Sequence, residues 1–301
     1  MRLMPPAIAL AILAAPIAPA MAQDRSGLAP STPWTLDYDT DSCALRRMFG
    51  EGNQQGYFEM RRFAPDIGLQ VIVASENLKA RDLLRFQYRW GNEPNWREAG
   101  RLKITLDNGL GGVVFSTGFV ELPEDLADLR ARDLYLQSID WRAIEREAAA
   151  RTESIALRGT TRRGRHRGDL ALQLGSLKAP IAALNTCIDE LVTHWGIDVE
   201  AHKTLTRPAQ PIDFAAAASM VGYPPKMARQ AMPGLVNVRL AVDETGKVTG
   251  CRIQMPLSDP AFEASSCADI EHAFEFEPAL DKDGKPIASY WITKVVFQIG
   301  R

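Results

Sequence analysis

Cysteine and histidine are scarce in this chain of 301 residues, with four of each. The histidines (His166, His194, His202, His272) are scattered and no C-x-x-C occurs, which excludes the usual zinc spacings and a dithiol redox motif. Charge of one sign is also missing. A formal net charge of -2 gives no overall attraction to nucleic acid or anionic membrane, so any charge-driven binding must come from a local patch. Catalytic signatures are absent as well. There is no G-x-S-x-G elbow, and GLGG at Gly109–Gly112 lacks the lysine and following helix of a phosphate loop, so it reads as a hairpin turn. Asp37, Asp39 and Asp41 alternate around a strand end, but without the further oxygen ligands and glycine loop of a cation site they read as a solvated face. His194 beside Trp195 reads as a helix C-terminal cap, and Glu271-His272 has no second ligand at i+4. No catalytic residue, metal or cofactor is expected, and the chain reads as a non-enzyme.

Long apolar runs are confined to the first residues. Arg2 supplies a positive start, Ile8 to Ala15 an apolar stretch too short for a bilayer, and Ala20-Met21-Ala22 a small-x-small site. Residues 1–22 therefore read as a signal peptide cleaved after Ala22, and the mature chain as exported and not membrane-spanning. In an oxidising compartment four cysteines suggest disulfides, in any of three pairings of Cys43, Cys187, Cys251 and Cys267.

From Pro33 to Phe119 short alternating stretches (Leu69, Val71 and Val73 among them) are separated by Gly- and Asn-rich turns. That pattern predicts an antiparallel sandwich or barrel. A helix with Ile181, Leu184, Ile188, Leu191 and Trp195 on one face closes this unit, and Cys187 borders that face. Residues 30–198 are expected to form a strand-rich domain of unknown role, 199–216 a linker with Pro208 and Pro211, and 217–301 a small second domain. The expected class is α+β: a strand-rich antiparallel domain with a C-terminal helix, then a three-stranded antiparallel sheet packed with two helices.

In the second domain Val236, Val238, Leu240 and Val242 share one side of a strand, and DETGK turns the chain back. Cys251 shares a face with Thr249, Ile253 and Met255. Cys267 lies with Ile270 and Phe274 at helical spacing, so a helix on that sheet points both sulfurs into one interface. A Cys251–Cys267 bond closes about 15 residues, worth roughly 3 kcal/mol in the chain-entropy account. Cys43–Cys187 follows by elimination.

Arg158, Arg162, Arg163, Arg165 and Arg167 crowd the stretch LRGTTRRGRHRGD between two strands. The cluster reads as a solvated hairpin tip or as a grip for the phosphates of anionic envelope lipid or polysaccharide. Nucleic acid is not expected, because no aromatic residues interleave and an exported chain does not meet it.

Tyr223-Pro224, Gly246 in the hairpin, Phe276-x-Pro278-Ala279 and Gly284-x-Pro286 before an apolar last strand form an ordered series. Over roughly 80 residues it resembles the C-terminal domain of TonB-type energy transducers, and the cysteine pair resembles a subgroup of that family. The resemblance implies location in the Gram-negative periplasm and capture of an extended segment of an outer-membrane or periplasmic protein, added as a strand beside the last strand. Carried onto this chain, that edge is Ser289, Tyr290, Ile292, Lys294, Val296 and Gln298. The serine-rich turn common after the second strand is here MPLSDP. A signal peptide and a strand-rich domain stand where a transducer has its membrane anchor and proline-rich spacer, so energy transduction is not expected.

Overall fold

A computed structural model describes residues 27–76, 78, 85–91, 93–123, 126, 129–160, 166–256 and 259–298. The expected signal peptide lies outside them.

Alternation dictates the first half. Strands β1 (Thr35–Tyr38), β2 (Cys43–Phe49), β3 (Gly56–Arg62), β4 (Leu69–Ser75), β5 (Arg85–Trp90), β6 (Arg97–Glu98), β7 (Arg101–Thr105) and β8 (Gly111–Thr117) are followed by helices α1 (Leu129–Ser138) and α2 (Trp141–Arg151). Strands β9 (Ser154–Thr160) and β10 (His166–Gln173) and helix α3 (Lys178–His194) complete this half. One antiparallel sheet has the order β1-β2-β3-β4-β8-β7, a second the order β10-β9-β5-β6. Phe58, Val71, Val73 and Phe115 from the first sheet and Phe86, Tyr88, Trp90, Ile155 and Leu157 from the second fill the core between them. The apolar stripe of α3, with Ile181, Leu184 and Ile188, closes one end of it. There Cys187 is bonded to Cys43 on β2, with Cα atoms 6.2 Å apart. Beside that bond the buried Arg62 guanidinium meets Glu145 of α2 and Asn185 of α3. Burial of a charge is tolerated when it is paired and hydrogen-bonded in this way.

Residues 199–216, read in the sequence as a connection, hold α4 (Val199–Lys203), β11 (Gln210–Pro211) and the start of α5 (Phe214–Ser219). Their Leu205 and Ala209 lie on the C-terminal core. After α6 (Pro225–Arg229) come β12 (Gly234–Val242), β13 (Val248–Pro256) and α7 (Pro260–Ala273). The short strands β14 (Phe276–Glu277), β15 (Ala279–Leu280) and β16 (Pro286–Ile287) precede β17 (Ser289–Phe297). The sheet order is β13-β12-β17, all antiparallel. The class is thus α+β, as the periodicity predicts. Asp259 caps α7 by accepting from the Ala261 N–H, and Pro260 occupies its first turn. The helix lays Phe262 and Ile270 over Val236, Val238, Leu240 and Val242, and Cys267 is bonded to Cys251 of β13 with Cα atoms 5.7 Å apart.

Two β-turns of this domain use one device. Asp243 Oδ1 accepts from the N–H groups of Thr245 and Lys247, and Asp281 Oδ1 from those of Asp283 and Lys285. Gly246 and Gly284 take φ of 88° and 77° at the left-handed position each turn requires.

The second face of the three-stranded sheet is not solvated. It lies on the outer face of the six-stranded sheet, where Ile72 and Val114 meet Leu235, with Tyr57, Leu102, Ile104, Leu106 and Met255 around them. For this reason every residue of β4 is buried. Leu69, Val71 and Val73 face the sandwich core, while Ile72 faces the C-terminal sheet and Gln70 reaches Met255 and Asn237 there.

Candidate partner-binding edge and its frame

β17 is the last strand of its sheet. All nine of its residues are in register with β12, from Ser289 opposite Val242 to Phe297 opposite Gly234. Among the described residues no strand pairs with its other edge. Its odd-numbered side chains turn to the α7 side: the Trp291 ring lies 5.5 Å from Phe274 and 5.3 Å from Phe276, and Phe297 lies 4.8 Å from Phe262. Its even-numbered side chains turn to the N-terminal domain. Period-two alternation alone requires this split.

The residues expected along this edge differ in what they have left to offer. Ser289 is buried, and its Oγ lies 2.9 Å from His202 Nε2 on α4. The Tyr290 ring stands edge-on to Trp195 at 5.4 Å and stacks on His202 at 5.9 Å. Burial first, and then the carboxylates of Asp66 and Asp189, push its phenol far above the ordinary range. Ile292 is half-buried. Lys294 donates to Ser116 Oγ on β8 at 2.5 Å, and burial, with Arg132 nearby, lowers its ammonium below the usual lysine value. Val296, 49% exposed, and Gln298 are open to solvent. The strand is thus anchored at its start and open at its end. Val296 sits opposite Leu235, at the rim of the apolar seam between the domains.

Side-chain bonds from β12 and β13 hold the frame together. Arg239 Nη2 meets Asp41 Oδ1 at 2.8 Å, and its guanidinium lies 4.2 Å from the centre of the Trp195 ring. Gln254 Nε2 donates to the carbonyls of Asp41 and Phe63, each at 2.9 Å. Asn237 Nδ2 donates to Gln70 Oε1 at 3.0 Å. The three alternating aspartates each meet an arginine: Asp37 with Arg46, Asp39 with Arg61 and Asp41 with Arg239. Between the first two, buried Glu59 accepts from Tyr57, Arg46 and Arg61. Burial alone would raise the Glu59 carboxyl, but Arg61 and these hydrogen bonds outweigh it and hold it below the ordinary range.

Of the arginine cluster, Arg162, Arg163 and Arg165 lie outside the described residues. The backbone of Arg167 pairs with Gly159. Arg158 projects from β9, donates to Gln87 Oε1 at 2.8 Å and lies 4.0 Å from the centre of the Trp96 ring. Arg89 covers the same ring at 4.9 Å. Sequence reading does not find Trp96, because 62 positions separate it from Arg158 and only the antiparallel pairing of β5 with β9 unites them. Nor does it find Arg239, although the unusual run of aspartates is a signal that cations lie opposite.

Among the described residues no group of three or more His, Cys, Asp or Glu is placed to hold a metal ion, and no helix is long and apolar enough to cross a membrane. No curated protein matches the chain. Residues 220–299 match the family model described as Gram-negative bacterial TonB protein C-terminal, so the segment that contains β12, β13, α7 and β17 is similar to that domain.

Proposed function

We propose that this chain is a periplasmic interaction protein that captures an extended segment of an envelope protein along β17. The observation that carries the reading is the outer edge of β17, which meets no strand among the described residues and whose residues Val296 and Gln298 are exposed. A row of main-chain donors and acceptors left unpaired at a sheet edge is a template for an added strand. The match of residues 220–299 to the TonB C-terminal family supports the same role. Two disulfides suit an oxidising compartment. The start of the strand, held by His202 and Trp195, fixes its register, and the captured segment occupies the end from Thr293 onward. Val296 offers it an apolar contact on the side of the domain seam.

A photo-crosslinking residue at Val296 of the full chain, illuminated in an envelope preparation, tests this. Adducts are expected from Val296 and not from a crosslinker at exposed Glu271 on α7. Proline at Thr293 and at Lys294, made singly in the chain that carries the crosslinker at Val296, removes one N–H facing β12 and one facing outward. The outward member of the pair should keep the thermal midpoint and lose the adduct. Equal adducts from Val296 and Glu271, or adducts untouched by both prolines, would refute strand capture.

A further inference from the structure

The two sheets and the C-terminal domain lie in sequence as layers. The six-stranded sheet turns Val71, Val73 and Phe115 to the sandwich core and Ile72 and Val114 to the C-terminal domain. The outer face of the four-stranded sheet is therefore at the far end of the molecule from β17. On that face β5 presents Arg85, Gln87 and Arg89, and β9 presents Arg158 opposite Gln87. Trp96, just before β6, lies under the guanidinium groups of Arg158 and Arg89. Among the described residues Arg85, Arg89 and Arg158 form no ion pair, and the buried Nε of Arg89 has no hydrogen-bond partner. Of the nearby acids, two are committed elsewhere and two border the arginines. Glu93 and Glu121 both pair with Arg97, whereas Glu98 and Asp169 are exposed, Glu98 opposite Gln87 and Asp169 on β10.

We propose that this face docks on a phosphate-bearing lipid surface. Three arginines on one sheet face, none in an ion pair among the described residues, suit many phosphates in a plane rather than one ligand in a cleft, since a guanidinium can donate to more than one phosphate oxygen. A half-buried indole flanked by guanidinium belongs at headgroup depth, where amphipathic rings concentrate. Because guanidinium already covers the Trp96 ring, it offers no free platform for stacking a sugar or base. This distinguishes the face from a glycan or nucleic-acid site. In the sequence, Arg162, Arg163, Arg165 and Arg167 follow β9. The proposal does not depend on strand capture at β17. With this face on a membrane, β17 is directed away from it.

Co-sedimentation of the full oxidised chain with vesicles tests the inference, using phosphatidylglycerol in phosphatidylethanolamine against phosphatidylcholine alone. Binding is expected to the anionic vesicles only and to weaken with added salt. Each arginine near such a surface contributes about a fivefold gain, so R85Q/R89Q/R158Q should bind roughly a hundredfold more weakly. The corresponding triple lysine variant retains the charge and should stay within about tenfold of the parent, which separates lost charge from lost fold. A quadruple variant, R162Q/R163Q/R165Q/R167Q, leaves the sheet face intact and should keep measurable binding. The proposal is overturned if the sheet-face triple binds as the parent does. It is also overturned if the quadruple variant alone abolishes binding, or if dextran sulfate binds while anionic vesicles do not. Displacement from vesicles by millimolar inorganic phosphate would equally overturn it, by pointing to a single phosphate site.

Discussion

Arg239→Met is the substitution that most directly tests how the C-terminal sheet is held on the N-terminal domain. Arg239 and Asp41 are 13% and 15% exposed and 2.8 Å apart. At an effective dielectric constant of about 20 that separation gives a gross attraction of about 6 kcal/mol. Desolvation of both groups cancels most of it, and the contact with Trp195 adds about 1 kcal/mol. Met fills the volume of the aliphatic stem but leaves Asp41 without its cation, so the single substitution should cost about 2–3 kcal/mol. In a cycle with Asp41→Asn, measured by urea unfolding of the full chain, the coupling energy should be about 1–2 kcal/mol. Arg151 and Glu147, each about three-quarters exposed on α2, serve as the control, with coupling of at most about 0.5 kcal/mol. A coupling for Arg239–Asp41 no larger than that of the control would refute the claim that this pair fastens the domains.

Three further outcomes follow from the geometry. The Cys43–Cys187 bond spans 144 positions and Cys251–Cys267 spans 16. Replacement by serine pairs should therefore cost about 5 and about 3 kcal/mol in chain entropy, and denaturant midpoints in the reverse order would contradict that account. Gly246→Ala would place a Cβ 1.9 Å from the Phe276 carbonyl oxygen, whereas at Gly284 nothing lies within 4 Å. The first should cost roughly 3 kcal/mol or more and the second about 1 kcal/mol, read as a difference in thermal midpoint. Burial lowers the His202 imidazole below its ordinary value, against the pull of the Asp198 carbonyl and charge. The folded state therefore favours neutral His202, and its contribution is full above the unfolded value of about 6.5 and is lost as pH falls below it. His202→Gln should flatten the decline of the thermal midpoint between pH 7.5 and 5, and an unchanged decline would show that His202 does not drive it.

How much was legible in the sequence depends on whether the signal is local. The C-terminal hairpin and the interface shared by Cys251 and Cys267 rest on spacing within thirty residues, and both appear in the structure. The alternation of Leu69, Val71 and Val73 correctly gives a strand, but it suggests one wet face. Burial of both faces of β4 comes from Leu235 and Met255, far along the chain, which no window reaches. The same limit applies to the edge. Membership of Ser289 and Tyr290 in the last strand is written in the pattern. Their engagement by His202 and Trp195 depends on how α3 and α4 return to it. The aspartates at 37, 39 and 41 read as a solvated face because their arginines lie on three different strands.

The two-faced placement of β17 has a thermodynamic corollary. Its even-numbered side chains touch the N-terminal domain through Tyr290 and Lys294, while its outer edge is the one open to an added strand. A ligand that favours one twist of β17 shifts the balance at both contacts. By reciprocity, whatever loosens or tightens those contacts changes ligand affinity by the same factor. On the proposed capture at β17, the N-terminal domain would act as an effector of the edge as well as its support. A C-terminal fragment studied alone would report an affinity with that coupling already set to zero.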